Sequence, residues 1–384
     1  MPLIKKDPMK IFILAPDSFK ESMTAEQACA SMQRGILRAM PDAQCIHVPM
    51  ADGGEGTVDA LIAALAGERI ACEVTGPLPH QQIKTYFGLV DGAKTAVIEM
   101  AKANGIDLLE PEQRNPLLTS TCGTGEMIMK ALDLGVAKII LGLGGSVTND
   151  GGAGMAEALG AKFLDVQGNI VPACGGSLNR VQSVDLSGLD ARLKQTEIMI
   201  ASDVNNPLCG SNGASYVFGP QKGADVEMVK TLDQNLSHFA DIVETAIGAS
   251  YQHMAGAGAA GGLGFGLLAF TGANIRSGVE LVIEQYHLAE KIARADYVLT
   301  GEGKIDFQTQ FGKTPYGVAK LAKQLNKPVI ALAGLLGEGF DELYNLGFDQ
   351  IIGINPPDCT MQDALDNAEN NLQKACENIA ERLK

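Results

Sequence analysis

The 384-residue sequence has no tryptophan, only five histidines, and no two cysteines spaced as CxxC. These shortages close several routes. There is no HExxH zinc motif and no GxSxG, and so few histidines leave no workable Ser-His-Asp order. Eight cysteines scattered singly argue against a zinc site or a disulfide framework. They read as reduced thiols of a cytoplasmic protein, with Cys29 and Cys376 packed as small hydrophobes. Positive charge is short too: 30 Lys and Arg stand against 45 Asp and Glu, a net charge of −15. That balance excludes nucleic acid and anionic membrane surfaces as partners. An anionic ligand must be met by locally placed Lys, Arg or backbone N–H groups.

Long hydrophobic runs are missing as well. IFILAP, preceded by Lys5, Lys6 and Lys10, is too short for a signal-peptide core and reads as a first buried strand after a loose leader. From Thr245 to Ile275 no residue is charged, a length that could span a bilayer. The run AGAGAAGGLGFG within it is too rich in glycine for a lone membrane helix. A buried turn leading into a core helix is expected there, and no membrane partner.

What is present is an alternation of strands and helices. KIFILA is followed by the loop DSFKES and a helix opened by Thr24, with Gln27 placed to complete a capping box. Ala28, Met32, Ile36 and Ala39 share one face of that helix, and Pro41 ends it. The strand QCIHVPM, the loop ADGGEG and the helix TVDALIAALAG repeat the unit. ADYVLTG, KPVIALAG and FDQIIGINP read as three more buried strands, and a last helix runs from Met361 to the end with Thr360 as its cap. Two N-terminal and three C-terminal strands predict one five-stranded, doubly wound parallel sheet. The middle of the chain, with IACEVTGPL, KTYFGLV, KTAVIEMA, KIILGLGG, AKFLDVQG and TEIMIAS, predicts a second α/β domain inserted into the first. The expected division is 9–75 plus 285–384 against 76–284, with the ligand cleft between the two.

Ligands of open parallel sheets gather at the C-terminal strand ends. Eight Gly-rich or acidic loops fall at such places: Asp17 to Lys20, Asp52 to Gly56, Thr300 to Asp306, the Gly334 loop, Gly123 to Glu126, Gly142 to Gly154, Ser202 to Pro207, and Gly256 to Gly264. The barest is GLGGSVTNDGGAG, between the apolar run AKIIL and the helix-like MAEALGAKF. Glycine lets main-chain N–H groups approach phosphate oxygens closely. Local spelling nevertheless fits no standard nucleotide motif. Gly142 to Val147 lacks the third glycine of a dinucleotide fingerprint. Gly312-Lys313-Thr314 has the tail of a P-loop, but Phe307 occupies its leading glycine position. Phosphoryl transfer on another scaffold remains, since it needs N–H groups and cations around phosphates and single carboxylates for Mg²⁺. Each loop also has a plain turn reading: Asp17 as an Asx-turn residue, Asp203 as a turn cap before Pro207.

Seven stretches together resemble the bacterial glycerate kinase family of the type without a P-loop. They are LAPDSFKESMTA, PMADGGEGTVDAL, TSTCGTGEMI, ILGLGGSVTNDGGAGMAEALGAKF, ASDVNNPLCG, GAGAAGGLGFGLLAF and TGEGKIDFQT, kept in order over nearly the whole chain. The resemblance implies a flavodoxin-like domain carrying an inserted α/β domain, and an ATP- and Mg²⁺-dependent kinase for D-glycerate, monomer or homodimer, favouring the 2-phosphate over the 3-phosphate. Other classes remain open: a non-catalytic nucleotide- or metabolite-binding regulator on the same scaffold, and a nicotinamide-dependent oxidoreductase, which the broken fingerprint disfavours.

Within the kinase reading, Gly144, Gly145, Ser146, Thr148, Asn149, Gly151 and Gly152 are expected to line the nucleotide phosphates, with the helix near Ala153 aimed at them. Arg276 can fork onto the substrate carboxylate and Lys20 can serve as a point charge, with Asp17, Ser18, Asn205 and Asn206 beside the substrate. Asp203 is the expected base, with Asp306 or Asp52 as the next choice and Lys304 neutralising the transferred group. Asp52 and Glu302 are the expected Mg²⁺ carboxylates.

Overall fold

The structure, a computed structural model, describes residues 9–51 and 57–384. The chain forms two compact units, one from the segments up to Asp52 and from Val279 to Lys384, the other from Gly53–Gly278. Its strands are β1 (Ile11–Pro16), β2 (Gln44–His47), β3 (Glu68–Thr75), β4 (Gln82–Val90), β5 (Thr95–Glu99), β6 (Lys138–Gly142), β7 (Lys162–Leu164), β8 (Ser183–Asp185), β9 (Glu197–Ala201), β10 (Asn274–Arg276), β11 (Tyr297–Ile305), β12 (Val329–Leu336) and β13 (Gln350–Gly353).

The first unit holds a sheet in the order β13-β12-β11-β1-β2, every neighbour parallel. Read from β2, this is the doubly wound flavodoxin-like order, whose direction of winding reverses between β1 and β11. Its core joins Phe12, Leu14, Leu299, Ile330 and Leu332 of the sheet to Ala28, Met32 and Ile36 of the helix Ala25–Ala39. Thr24 and Gln27 close the expected capping box on that helix. The last helix differs from expectation. It breaks at Asn367 into Met361–Asp366 and Ala368–Arg382. The Asn367 side chain donates to the Asp363 carbonyl at 2.9 Å, competing with the backbone ladder as Asn side chains do.

The second unit holds a mixed sheet in the order β10-β9-β6-β5-β4-β3, and β7 pairs with β8 as a small hairpin. From β10 to β5 the neighbours are parallel, while β4 runs antiparallel to both β5 and β3. This pairing corrects the expected division at residue 75. β3 is an edge of the second sheet, so the chain has already changed unit before β3, and it returns between Gly278 and Val279. Phe163, Phe239, Phe265 and Phe270 meet edge to face in the core of this unit. The glycine-rich run becomes the start of the helix Ala259–Thr271, with Ala260, Gly261 and Gly262 left-handed and buried. Among the described residues no helix is long and apolar enough to cross a membrane.

Candidate functional site

In the first unit, the reversal of winding puts the end of β1 beside the end of β11. Asp17 N–H donates to the Gly301 carbonyl at 2.8 Å, which seats Asp17 next to Glu302. β11 and β12 both run on past the expected strand end, pairing Lys304 with Leu335 and Ile305 with Leu336. Glu302 and Lys304 therefore lie on a strand, not a loop, two residues apart and so on one face.

Asp17, Glu302, Lys304, Asp306 and Lys313 each have a partner there. Asp17 accepts from the Thr314 hydroxyl at 2.6 Å and from Ser18 N–H at 2.6 Å. Glu302 accepts from the Thr309 hydroxyl at 2.8 Å and pairs with Lys313 at 3.3 Å. Lys304 pairs with Asp306 at 2.8 Å, and Asp306 accepts from Gln308 N–H at 3.0 Å, capping the short 3₁₀ turn Phe307–Gln310. Burial works to raise the Asp306 pKa, but the Lys304 bond, the Gln308 N–H and the Lys313 charge together hold it below its usual value. Gly303 leaves room for the backbone of exposed Lys20, whose amide nitrogen lies 3.2 Å from where a Cβ would be. Lys313 and Thr314 open the helix Thr314–Gln324. By spelling alone they form an incomplete P-loop, and only the fold brings them to Glu302 and Asp17.

In the second unit, the ends of β5, β6, β9 and β10 lie side by side. β5 ends in Glu99, which is 3 % exposed and accepts from Val58 N–H at 2.8 Å. Burial raises its pKa while Lys102, 3.5 Å away, opposes the rise. Lys102 also donates to the Tyr86 hydroxyl at 3.0 Å. At β9 and β10, Ser202 N–H donates to the Arg276 carbonyl at 3.1 Å, joining the half-buried Asp203 segment to Arg276. One carboxylate oxygen of Asp203, Oδ2, is enclosed. Asn205 is exposed, whereas the Asn206 side chain donates to the Asn212 carbonyl at 2.8 Å. Asp52 lies outside the described residues.

The loop after β6 answers the question its glycines raise. Gly145, left-handed at φ 69°, is exposed and Gly144 is half-buried. Beyond them the loop turns inward. Ser146 is 8 % exposed, and Thr148, Asn149 and Asp150 are fully buried. Gly151 and Gly152 serve packing: a Cβ on Gly152 would meet Gly266 at 2.9 Å, and one on Gly262 would meet Gly151 at 2.8 Å. Two bare backbones thus lie against each other, and Gly151 N–H donates to the Gly261 carbonyl at 3.0 Å. Asp150 is the fastener. Its carboxylate accepts from the N–H and hydroxyl of Thr121, both at 2.8 Å, from Gly152 N–H at 3.1 Å and from Gly154 N–H at 3.2 Å.

This corrects the expectation for the helix start near Ala153. The opening N–H groups of the helix Ala153–Ala158 already have acceptors, including the Thr121 hydroxyl for Met155 at 2.9 Å, so they have nothing left to aim at a phosphate. Burial raises the Asp150 pKa, against those same hydrogen bonds. The Gly123 to Glu126 stretch is likewise helix, and Glu126 accepts from Thr75 N–H at 2.7 Å. Lys222, which sequence reasoning passed over, donates from within to Ser146 and to Thr148.

A doubly wound parallel sheet with charged side chains gathered at its strand ends is an architecture of α/β enzymes. The chain belongs to the glycerate kinase family, whose sequence pattern matches residues 12–384. It is 50% identical over 372 residues to "Glycerate kinase" of Haemophilus influenzae, covering 97% of this chain and 98% of that one. It is 47% identical over 375 residues to "Glycerate 2-kinase" of Escherichia coli, covering 98% of each. The crystal structure assigned to glycerate kinase 2 of Salmonella typhimurium superposes with a TM-score of 0.88 at 48% identity, covering 98% of each chain.

Proposed function

We propose that the protein transfers the γ-phosphoryl group of ATP to D-glycerate, forming 2-phosphoglycerate and ADP. The observation that carries this is the end-to-end match, without large insertion or loss, to relatives named glycerate kinase, one of them named for the 2-position. The acceptor hydroxyl oxygen bonds to the γ-phosphorus as the bond to the ADP oxygen breaks, and the hydroxyl proton passes to a carboxylate. Asp203 is that base, and Asp306 stays ionised by Lys304. A metaphosphate-like transition state needs little covalent help, so positioning and charge are what the side chains supply.

Lys304 and Lys313 carry the positive charge for the phosphates. Gly144 and Gly145 offer the N–H groups of an exposed turn, in place of the longer glycine stretch. In the second unit Arg276 grips the glycerate carboxylate with its planar fork; in the first, Lys20 and Ser18 offer a cation and a hydroxyl for an anion. Mg²⁺ takes oxygen ligands and shares itself between one or two carboxylates, phosphates and water. Asp17 and Glu302, on adjoining strand ends, fit that donor set. Among the described residues no group of three or more His, Cys, Asp or Glu is placed to cage an ion without phosphate. When bound, the ion supplies neutralising charge on the phosphate oxygens.

The test is ADP release from ATP and Mg²⁺ with and without D-glycerate. Release that depends on D-glycerate is the expected result. A rate that glycerate does not change would end this reading.

A further inference from the structure

Lys222 ends the 3₁₀ turn Pro220–Lys222, in the spelling PQKG of an ordinary surface turn. Its side chain is nevertheless buried, with 1 % exposure. An ammonium group taken out of water is costly unless its hydrogens are accepted. Nζ donates to Ser146 Oγ and to the Thr148 carbonyl, both at 2.7 Å. Burial pushes its pKa down to about 7, and the carboxylate of Asp150, the charged group facing it from the same loop, pulls the other way.

The segment Lys222 grips is also held by its neighbours. Val147 N–H donates to the Asn104 carbonyl at 3.1 Å, and the Thr119 hydroxyl donates to the Val147 carbonyl at 3.1 Å. Two enclosed atoms of the same segment, Thr148 Oγ1 and Asn149 Nδ2, have no hydrogen-bond partner among the described residues. Buried polar groups are nearly always paired. Ordered water or a bound ligand is what supplies the partners of such atoms.

We propose that Lys222 is a positioning residue for the nucleotide: by clamping Ser146 and Thr148 it sets the path of the Gly144–Gly145 turn, and its buried charge favours an anion there. This rests on the reading that the turn meets the phosphates of ATP. A surface lysine would be screened by salt, whereas a buried one is screened far less. The −15 charge of the chain makes such a local positive potential necessary for any polyphosphate.

Lys222→Met keeps the length of the side chain and removes its charge and both donors. The expected result is a rise of about tenfold or more in the KM for ATP, with the KM for glycerate within about twofold of native. The thermal midpoint should fall by several degrees, because Ser146 Oγ and the Thr148 carbonyl lose their buried donor, so the constants are read on protein that is still folded. Ser146→Ala, which leaves the charge and removes one acceptor, should raise the KM for ATP by about threefold and gives a reading even if the Met variant does not fold. In the native protein the KM for ATP should climb as pH passes about 7, where Lys222 loses its proton, more steeply than in Lys222→Met, which retains only the nucleotide's own titration. Folded variants with unchanged KM for ATP, or with only the glycerate constant moved, would overturn the proposal. Native protein that releases no glycerate-dependent ADP would instead remove the kinase reading beneath it.

Discussion

Asp17 accepts a 2.6 Å hydrogen bond from the hydroxyl of Thr314, which lies 297 positions further along the chain. The bond joins the end of β1 to the start of the helix Thr314–Gln324, at the point where the first sheet reverses its winding. It also fixes one carboxylate oxygen of Asp17 while Ser18 N–H fixes the other. A carboxylate held on both oxygens is preorganised for a cation or for a substrate hydroxyl.

Thr314→Val keeps the shape of the side chain and removes this bond. A hydrogen bond to a charged group contributes about 1.5–3 kcal/mol, so kcat/KM should fall by about ten- to a hundredfold if the bond orients Asp17 for turnover. Thermal unfolding should shift by only a few degrees. Equal kcat/KM in the variant would leave Asp17 a structural residue.

Lys304 is exposed where it meets Asp306, so their pair adds little to stability. Lys304→Ala should therefore melt with the native protein while kcat drops by about a hundredfold, as expected for a cation facing transferred charge. Lys313→Ala should behave alike, with a larger effect on the KM for ATP. A loss of melting temperature that tracks the loss of activity would argue for a purely structural pair.

Asp203→Asn preserves turn hydrogen bonding and removes proton acceptance. Turnover should collapse by about a thousandfold while ATP and glycerate still bind, measured by calorimetric titration. Near-native turnover would move the base to Asp306. Arg276→Lys keeps the charge and loses the fork, so the KM for glycerate should rise about tenfold; a change in the ATP constant alone would assign Arg276 to the nucleotide.

Lys222 makes a prediction about stability against pH. Its folded pKa, about 7, lies below the ordinary value of 10.5. Between those values the unfolded chain binds a proton that the folded chain does not, so this group makes the fold more stable as pH rises from 7 toward 10. Urea unfolding of native protein and Lys222→Met across that range should show the slope lost in the variant. Parallel curves would mean that Lys222 is charged throughout.

Much of the fold was legible because it is local. The periodic faces of Ala28, Met32 and Ile36, the Thr24–Gln27 box and the apolar cores of β1 and β11 to β13 are written in neighbouring residues. Sheet membership is not local. β3 reads as the same half-buried strand whichever sheet it joins, and only its pairing with β4 assigns it. The site was legible in part for the same reason. Glu302, Lys304 and Asp306 follow one another along the chain, so their grouping could be read. Lys313 and Thr314 needed a contact with β1 from the far end of the sequence. Lys222 hides in a polar turn, and its burial depends on packing against the β6 loop. The glycines of that loop were read as room for a ligand, where Gly151 and Gly152 make room for another stretch of the same backbone.

The measurement that bears most directly on the proposed reaction is the phosphorus NMR spectrum of the product made from ATP, Mg²⁺ and D-glycerate. A phosphate on the secondary hydroxyl couples to one proton and appears as a doublet; on the primary hydroxyl it couples to two and appears as a triplet. A new doublet growing in step with ADP is the predicted result. A triplet would contradict the 2-phosphoglycerate assignment, and no new phosphate ester at all would contradict the kinase itself.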